Sequence, residues 1–288
     1  MTAEGADFLA DARTGRVSRL APTLLRIVAP NPGPLTGPGT NTYVVGLGPE
    51  YLVVDPGPTD PEHLDRIVAA THGRIARVLC THSHSDHSPG AADLARRTGA
   101  TVHGRPAPGD QYQDSSYAPD ATIEDGDLFE VPGVTLRAVH TPGHASNHVC
   151  FLLEREGWLF TGDHLMSGST VVILPPDGSM RLYLQSLQRL REMPLTALLP
   201  GHGAAMPGAH VEIDRVIAHR LKREGKVIDA LRRQGTEATL DTLVPDVYDD
   251  TPSALHALAR HSLLAHLQKL DEEGRVARDG NRWTWRGR

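Results

Sequence analysis

Residues 81–87 read THSHSDH, so four metal-capable side chains, His82, His84, Asp86 and His87, fall within six positions. The stretch follows the apolar run RIARVLC and precedes SPGAADLARRTG. Side chains alternate along a strand, so His82 and His84 point the same way at a strand end. Asp86 and His87 lie just beyond, on the turn before the next helix. One ion cannot easily take four ligands from so short a stretch. Two ions can, provided other parts of the chain complete each set. Whatever the fold is, it must bring further ligands to this strand end.

The chain supplies candidates behind other strands. HTPGHASNH holds His140, His144 and His148; LFTGDHL holds Asp163 and His164; LLPGHG holds His202. Each follows an apolar run and sits by a glycine, which lets the backbone turn sharply. His63, His72, His210, His219, His256, His261 and His266 lie on helices or turns without ligand spacing and read as packing or surface residues. His140 and His164 neighbour ligand candidates and can orient them. Ser83 and Ser85, between the first ligands, are small and leave the site mouth open.

The surrounding pattern predicts an α/β chain. LLRIVAP, NTYVVGLG and YLVVDPG read as strands, with turns rich in Gly and Pro between them. PTDPEHLDRIVAATHG reads as a helix capped by Asp60 with Pro61 in its first turn. SPGAADLARRTG is a helix stopped at Gly99. Residues 104–120 form a long polar loop, a candidate lid. DLFEVPG, VTLRAVHTPG, NHVCFLLER and GWLFTGD read as an antiparallel run, followed by a helix with Leu182, Leu187 and Leu190 as its apolar positions. The first 20 residues read as a loose arm or short strand. The texture changes near 209, which divides the chain into domains 1–208 and 209–288. The second holds one long amphipathic helix, a helix pair and a hairpin, RVARDGNRWTWRG, turning at Asp279-Gly280. That is the outline of a small winged-helix-like module.

Taken together, HxHxDH, PGH, TGD and PGHG in that order resemble the metallo-β-lactamase superfamily over roughly residues 20–205. The resemblance implies an αββα sandwich, with two mixed sheets face to face and helices outside. It assigns His82, His84 and His144 to one zinc ion and Asp86, His87 and His202 to a second, with Asp163 bridging. The cofactor it implies is two Zn2+ per chain, with iron or manganese as alternatives. A shared hydroxide would then attack a carbonyl or phosphorus. Asp86 would orient the water or accept its proton, and His148 would bond a ligand or a substrate oxygen. The iron-type oxygen-reducing members replace the second histidine of the first motif with glutamate; here it is His84, which favours zinc. NPGPLTGPGTNTYVVG and PSALHALARHSLLAHLQKLDEEGRV are similar to a group that carries a C-terminal winged helix. That group includes a mitochondrial endoribonuclease, polyketide-releasing thioesterases and bacterial hydrolases. In it, Asn41 and Thr42 lie toward the metal side or simply form a polar turn.

The expected function is a dizinc hydrolase of a small-molecule ester or thioester. A single-strand-directed endoribonuclease and an iron-dependent persulfide oxygenase-like enzyme are the alternatives. Residues 211–288 carry net +1 of a total of −6, so the larger part is acidic and offers no obvious track for a polyanion. RNA remains a second partner because Arg275, Arg278, Arg282, Arg286 and Arg288 interleave with Trp283 and Trp285. The competing reading, that the tryptophans pack the wing onto its helices, is preferred. Met166 stands where lactonases carry tyrosine, which lowers a lactonase reading. Asp163 and His202 are 39 positions apart, which leaves no room for an inserted nucleic-acid-binding domain. No run approaches the ~18 apolar residues of a membrane span, and no signal pattern opens the chain. A cytoplasmic protein with reduced, buried Cys80 and Cys150 is expected, and a homodimer is left open.

Overall fold

The structure is a computed structural model that describes residues 12–287. Residues 1–11, and with them most of the expected N-terminal arm, lie outside the described residues, as does Arg288. The chain packs as two compact units. The first takes the chain to Thr141, Asn147–Val171 and Glu192–His210. The second takes Pro142–Ser146, Val172–Arg191 and the chain from Val211 onward.

In the first unit, seven strands form one sheet: β1 (Val17–Ala21), β2 (Leu24–Val28), β3 (Asn41–Val45), β4 (Tyr51–Val54), β5 (Ile75–Leu79), β6 (Thr101–Gly104) and β7 (Ala121–Thr122), in that spatial order. β1 to β4 are antiparallel and β4 to β7 parallel. Of the three parallel crossovers, the first two carry α1 (Pro61–Thr71) and α2 (Gly90–Thr98). Asp60 caps α1 by accepting from His63 N at 2.8 Å, and Gly99 ends α2 at φ 77°. Leu64, Ile67, Ala91 and Leu94 pack these helices onto Ile27, Val44, Val53, Val78 and Val102 of the sheet.

Six further strands form the second sheet: β8 (Leu128–Val131), β9 (Val134–His140), β10 (Val149–Leu153), β11 (Trp158–Gly162), β12 (Ala197–Pro200) and β13 (Met206–Pro207). β8 to β11 are antiparallel, and β11 pairs parallel with β12. Inward residues of both sheets share one core, including Leu24, Tyr43, Leu79, Phe151, Phe160 and Leu199. Tyr43 and Phe160 meet edge to face at 5.0 Å. Each such fully buried side chain contributes roughly 1.5–3 kcal/mol. The chain is thus a mixed α/β sandwich, and parallel neighbours β4/β5 and β11/β12 set chain ends side by side in each sheet. That is where α/β folds place chemistry.

The second unit holds α3 (Met180–Arg191), α4 (Ala209–Gln234, whose first two residues fall in the first unit), α5 (Leu240–Val247), α6 (His256–Glu272) and a hairpin of β14 (Val276–Asp279) and β15 (Arg282–Trp285). Val227 and Leu231 of α4, Leu243 and Val247 of α5, Leu263, Leu267 and Leu270 of α6, and Val276 and Trp283 share one core. In α3 the buried stripe is Tyr183, Leu184, Leu187 and Leu190. Leu182 lies off it, half-buried, because it is one position out of helical phase. Asp279 pairs with Arg282, so the hairpin turns at Gly280-Asn281, one residue later than expected, with Gly280 at φ 59°. Trp283 is 2% exposed. Trp285 is half-buried, with the Arg232 and Arg275 guanidiniums 4.9 and 5.5 Å from its centroid. Packing therefore accounts for Trp283, and it offers no open face for base stacking. Among the described residues no helix is long and apolar enough to cross a membrane. Cys80 and Cys150 are buried thiols, not joined in a disulfide.

Candidate metal centre

β5 ends at Leu79 and delivers His82, His84, Asp86 and His87. β11 ends at Gly162 and delivers Asp163, and β12 ends at Pro200 and delivers His202. All belong to the first unit. Two backbone contacts join the sheets at this edge: Thr40 bridges His202, and Asn41 N donates to Gly201 O at 2.7 Å.

Four donor atoms converge. His202 Nε2 lies 3.2 Å from Asp86 Oδ2 and 3.3 Å from Asp163 Oδ1. His87 Nε2 lies 3.6 and 3.4 Å from the same two oxygens. Yet neither Nε2 makes a hydrogen bond, although both are buried. Ligands around a tetrahedral ion with bonds of about 2.0–2.1 Å sit roughly 3.3 Å apart. The four atoms are spaced as ligands, and the donor set fits zinc. His82 Nε2 and His84 Nδ1, 2.9 Å apart, form a second converging pair. His82, His87 and Asp163 place one ligand atom each within 4.8 Å of one another.

The outer nitrogens show which face of each ring is presented. Asp55, just past β4, is 2% exposed and absent from the sequence-derived set. Its Oδ1 accepts from Thr81 N at 2.7 Å, and its Oδ2 accepts from Thr81 Oγ1 and His87 Nδ1, both at 2.8 Å. A carboxylate can only accept, so His87 carries its proton on Nδ1. Thr81 has given its hydroxyl proton to Asp55, so its oxygen accepts from His82 Nδ1 at 2.9 Å. His202 Nδ1 faces Gly39 O at 3.3 Å. Each ring therefore turns its Nε2 inward, the arrangement metal-binding histidines share.

Asn41, fully buried, donates to Pro200 O and Gly203 O, both at 2.9 Å, and so clamps the His202 loop. Thr42 donates to Asp55 O at 2.6 Å and accepts from buried His63 at 2.9 Å. Two glycines are required by close approach. A Cβ on Gly162, at φ 46°, would meet Thr81 Oγ1 at 2.6 Å, and one on Gly201 would meet His87 Cε1 at 2.7 Å. His148 is fully buried. Its Nε2 accepts from Asp163 N at 3.2 Å and its Nδ1 faces Thr141 Oγ1 at 3.0 Å. Its bond is thus to the backbone of a candidate ligand. Ser83 does not line a mouth, because it is fully buried with its hydroxyl bonded to Gln113 and Asn147; Ser85 is exposed. His144 lies in the second unit, its Nδ1 2.9 Å from Val172 O. A Cβ on the preceding Gly143 would meet Tyr183 Cα at 2.3 Å.

Charge divides the cluster. Burial, followed by neighbouring His87, His84 and His148, holds His82 well below the usual imidazole pKa, so it is neutral. Burial also opposes charge on His202, but Asp163 and Asp86 outweigh it and raise its pKa to about 9. His87 is likewise raised against burial by Asp86, Asp163 and Asp55. Asp163 is held well below the carboxylate range by His202 and His87, again against burial. Without metal, protons on His87 and His202 balance the carboxylates. For His202, whose pKa is raised on folding, that stabilisation is complete below about 6.5 and is lost as pH rises through about 9. A metal ion held there would displace these protons. Calorimetry at pH 7.5 in buffers of different ionisation enthalpy should show release of about two protons as the site fills, with the His202 share lost as pH rises through about 9. No release at pH 7.5 would contradict this balance.

Residues 35–202 match the metallo-beta-lactamase superfamily, and residues 239–283 match the beta-lactamase associated winged helix domain. The chain belongs to the metallo-β-lactamase superfamily. It is 34% identical over 273 residues to a lactamase-like protein of Pestalotiopsis fici, covering 91% of this chain and 84% of that one. It is 31% identical over 278 residues to an atrochrysone carboxyl ACP thioesterase of Cryptosporiopsis sp., covering 91% and 83%. A beta-lactamase domain protein from Burkholderia ambifaria superposes with a TM-score of 0.78 at 21% identity, covering 98% of this chain and 97% of its own, which shows the fold. With this membership, a His/Asp cluster able to bind metal and relatives named as thioesterases, the chain is a hydrolase of the superfamily.

Proposed function

We propose that this hydrolase cleaves the thioester of an acyl group held on an acyl carrier protein, at a centre of two zinc ions. The observation that carries the reading is the cage of Asp86, His87, Asp163 and His202, in a chain whose relatives include carrier-protein thioesterases. In this reading residues 1–208 carry the chemistry and 209–288 form the appended module. His82, His84 and His144 would hold one ion, Asp86, His87 and His202 the other, and Asp163 both. Zinc held there supplies a water of pKa lowered from ~15.7 toward ~7 and polarises a carbonyl. The water oxygen adds to the thioester carbonyl carbon, the C–S bond breaks, and the products are a carboxylic acid and a free thiol. Asp86 is the more open carboxylate, 26% exposed against 12% for Asp163; its Oδ2 faces His87 and His202 as a ligand atom, which leaves Oδ1 to take the proton removed from the water and pass it to the departing thiolate. His148 is closed to substrate and acts by positioning Asp163 through its backbone N–H.

The test is a side-by-side assay of the zinc-loaded protein on an acyl-phosphopantetheine thioester, lactoylglutathione, a lactone and single-stranded RNA. The thioester should be turned over fastest, and Asp86→Ala should abolish that turnover while the fold persists. Cleavage of RNA without thioester turnover would replace this reading by the endoribonuclease. A single equivalent of iron would overturn the two-zinc centre.

A further inference from the structure

The segment expected to act as a lid is bonded to the ligand turn itself. Asp114 N donates to Ser83 O at 2.6 Å, and Gln113 bridges His84 through the backbone. Ser88 Oγ donates to Asp114 Oδ2 at 2.9 Å. Residues 110–114 therefore grip the turn between His82 and Ser88 at both ends.

The side chains add a directional chain of hydrogen bonds. Asp110 can only accept: its Oδ2 takes Gln113 Nε2 at 3.2 Å and its Oδ1 takes Tyr112 N at 2.8 Å. That fixes which way the Gln113 amide points. Its Oε1 must face Ser83, whose hydroxyl donates to it at 2.6 Å. With its proton spent there, Ser83 Oγ must accept, and Asn147 Nδ2 donates to it at 2.7 Å. The order is Asn147 to Ser83 to Gln113 to Asp110, and each bond polarises the next. Ser83 is fully buried and Asn147 is 4% exposed, so little water competes.

The two ends of this chain matter to the metal centre. Ser83 lies between His82 and His84. Asn147 precedes His148, which accepts from Asp163 N at 3.2 Å. A backbone bond, Val149 N to Thr81 O at 2.7 Å, runs beside it. We infer that Gln113 is a positioning residue: through Ser83 and Asn147 it sets the His82–His84 pair against Asp163, so that both metal subsites keep one geometry. This rests on the metal-centre reading above.

Zinc loss to a chelator and the visible spectrum of the cobalt-substituted protein test the inference, with melting of the metal-free protein as the control for folding. Gln113→Ala and Ser83→Ala should each speed metal loss about tenfold or more and shift the cobalt bands, the scale seen when a group supporting a ligand is removed. The metal-free melting temperature should hardly move. Gln113→Glu alone sets a carboxylate against Asp110 and should also lose metal faster. Adding Asp110→Asn restores one donor facing one acceptor and should return retention toward wild type. Wild-type retention and spectra in both alanine variants would overturn the inference, as would a double variant no better than Gln113→Glu alone. His82→Ala separates the two readings. If it keeps all its metal, the centre itself is wrong; if it loses metal while the Gln113 and Ser83 variants do not, only the positioning role falls.

Discussion

Asp163→Ala is expected to lose at least one of two metal equivalents and to lower thioester hydrolysis by ~10³-fold or more, the scale of removing a charge stabiliser from a reacting centre. Asp163 Oδ1 stands 3.4 Å from His87 Nε2 and 3.3 Å from His202 Nε2. The same side chain belongs to the cluster with His82. It is a carboxylate shared by the neutral His82 side and the charged His87/His202 side. Replacing it removes charge from both sides at once while leaving their histidines in place. Asp163→Asn keeps the shape and removes the charge, so it should fall with the alanine variant. A purely structural role would predict the opposite, with asparagine close to wild type. Elemental analysis and steady-state kinetics decide. Two retained metals with wild-type turnover would remove Asp163 from the centre.

The candidate ligands were legible in the sequence because their chemistry is rare: few soluble segments place four metal-capable side chains in six positions, and Asp163 and His202 repeat the pattern of apolar run, then Gly, then candidate ligand. Supporting residues were not legible, because their roles depend on register. Asp55 in VDPG has the local look of any turn aspartate. It matters only because β4 pairs parallel with β5, Val54 opposite Leu79, which sets Asp55 beside Thr81. Gln113 is a polar loop residue until the loop folds back on Ser83. The wing turn shows the same limit. Asp279-Gly280 and Gly280-Asn281 are both good turn dipeptides, and the inward packing of Val276 and Trp283 selects the second. Nor does texture near residue 209 reveal that Pro142–Ser146 and Val172–Arg191 pack with the chain from Val211. That partition comes from packing such as that of Gly143 on Tyr183, where no side chain fits between them.

Asp55→Asn should be nearly as damaging as loss of a ligand, although Asp55 points no atom at the metals. Its Oδ2 accepts two hydrogen bonds, from Thr81 Oγ1 and His87 Nδ1, while Oδ1 accepts from Thr81 N. An amide has one oxygen for these positions. The Thr81 backbone N–H cannot turn away, so the oxygen stays with it and the NH2 group faces Thr81 Oγ1 and His87 Nδ1. To avoid opposed donors, His87 must move its proton to Nε2, the atom that lies 3.4 Å from Asp163 Oδ1. A protonated Nε2 cannot ligate. Thr81 must also redirect its hydroxyl, which releases the hold on His82 Nδ1. One substitution thus disturbs a histidine in each group. Metal affinity should drop by at least the ~10–100-fold typical of lost supporting bonds. The metal-free fold should weaken by about 1–3 kcal/mol, the penalty for a buried polar group left badly paired. NMR of the imidazole nitrogens in the metal-free variant, at a pH high enough to leave His87 neutral, reads the tautomer directly. If His87 keeps its proton on Nδ1 and zinc binds with wild-type affinity, Asp55 does not set the face that His87 presents.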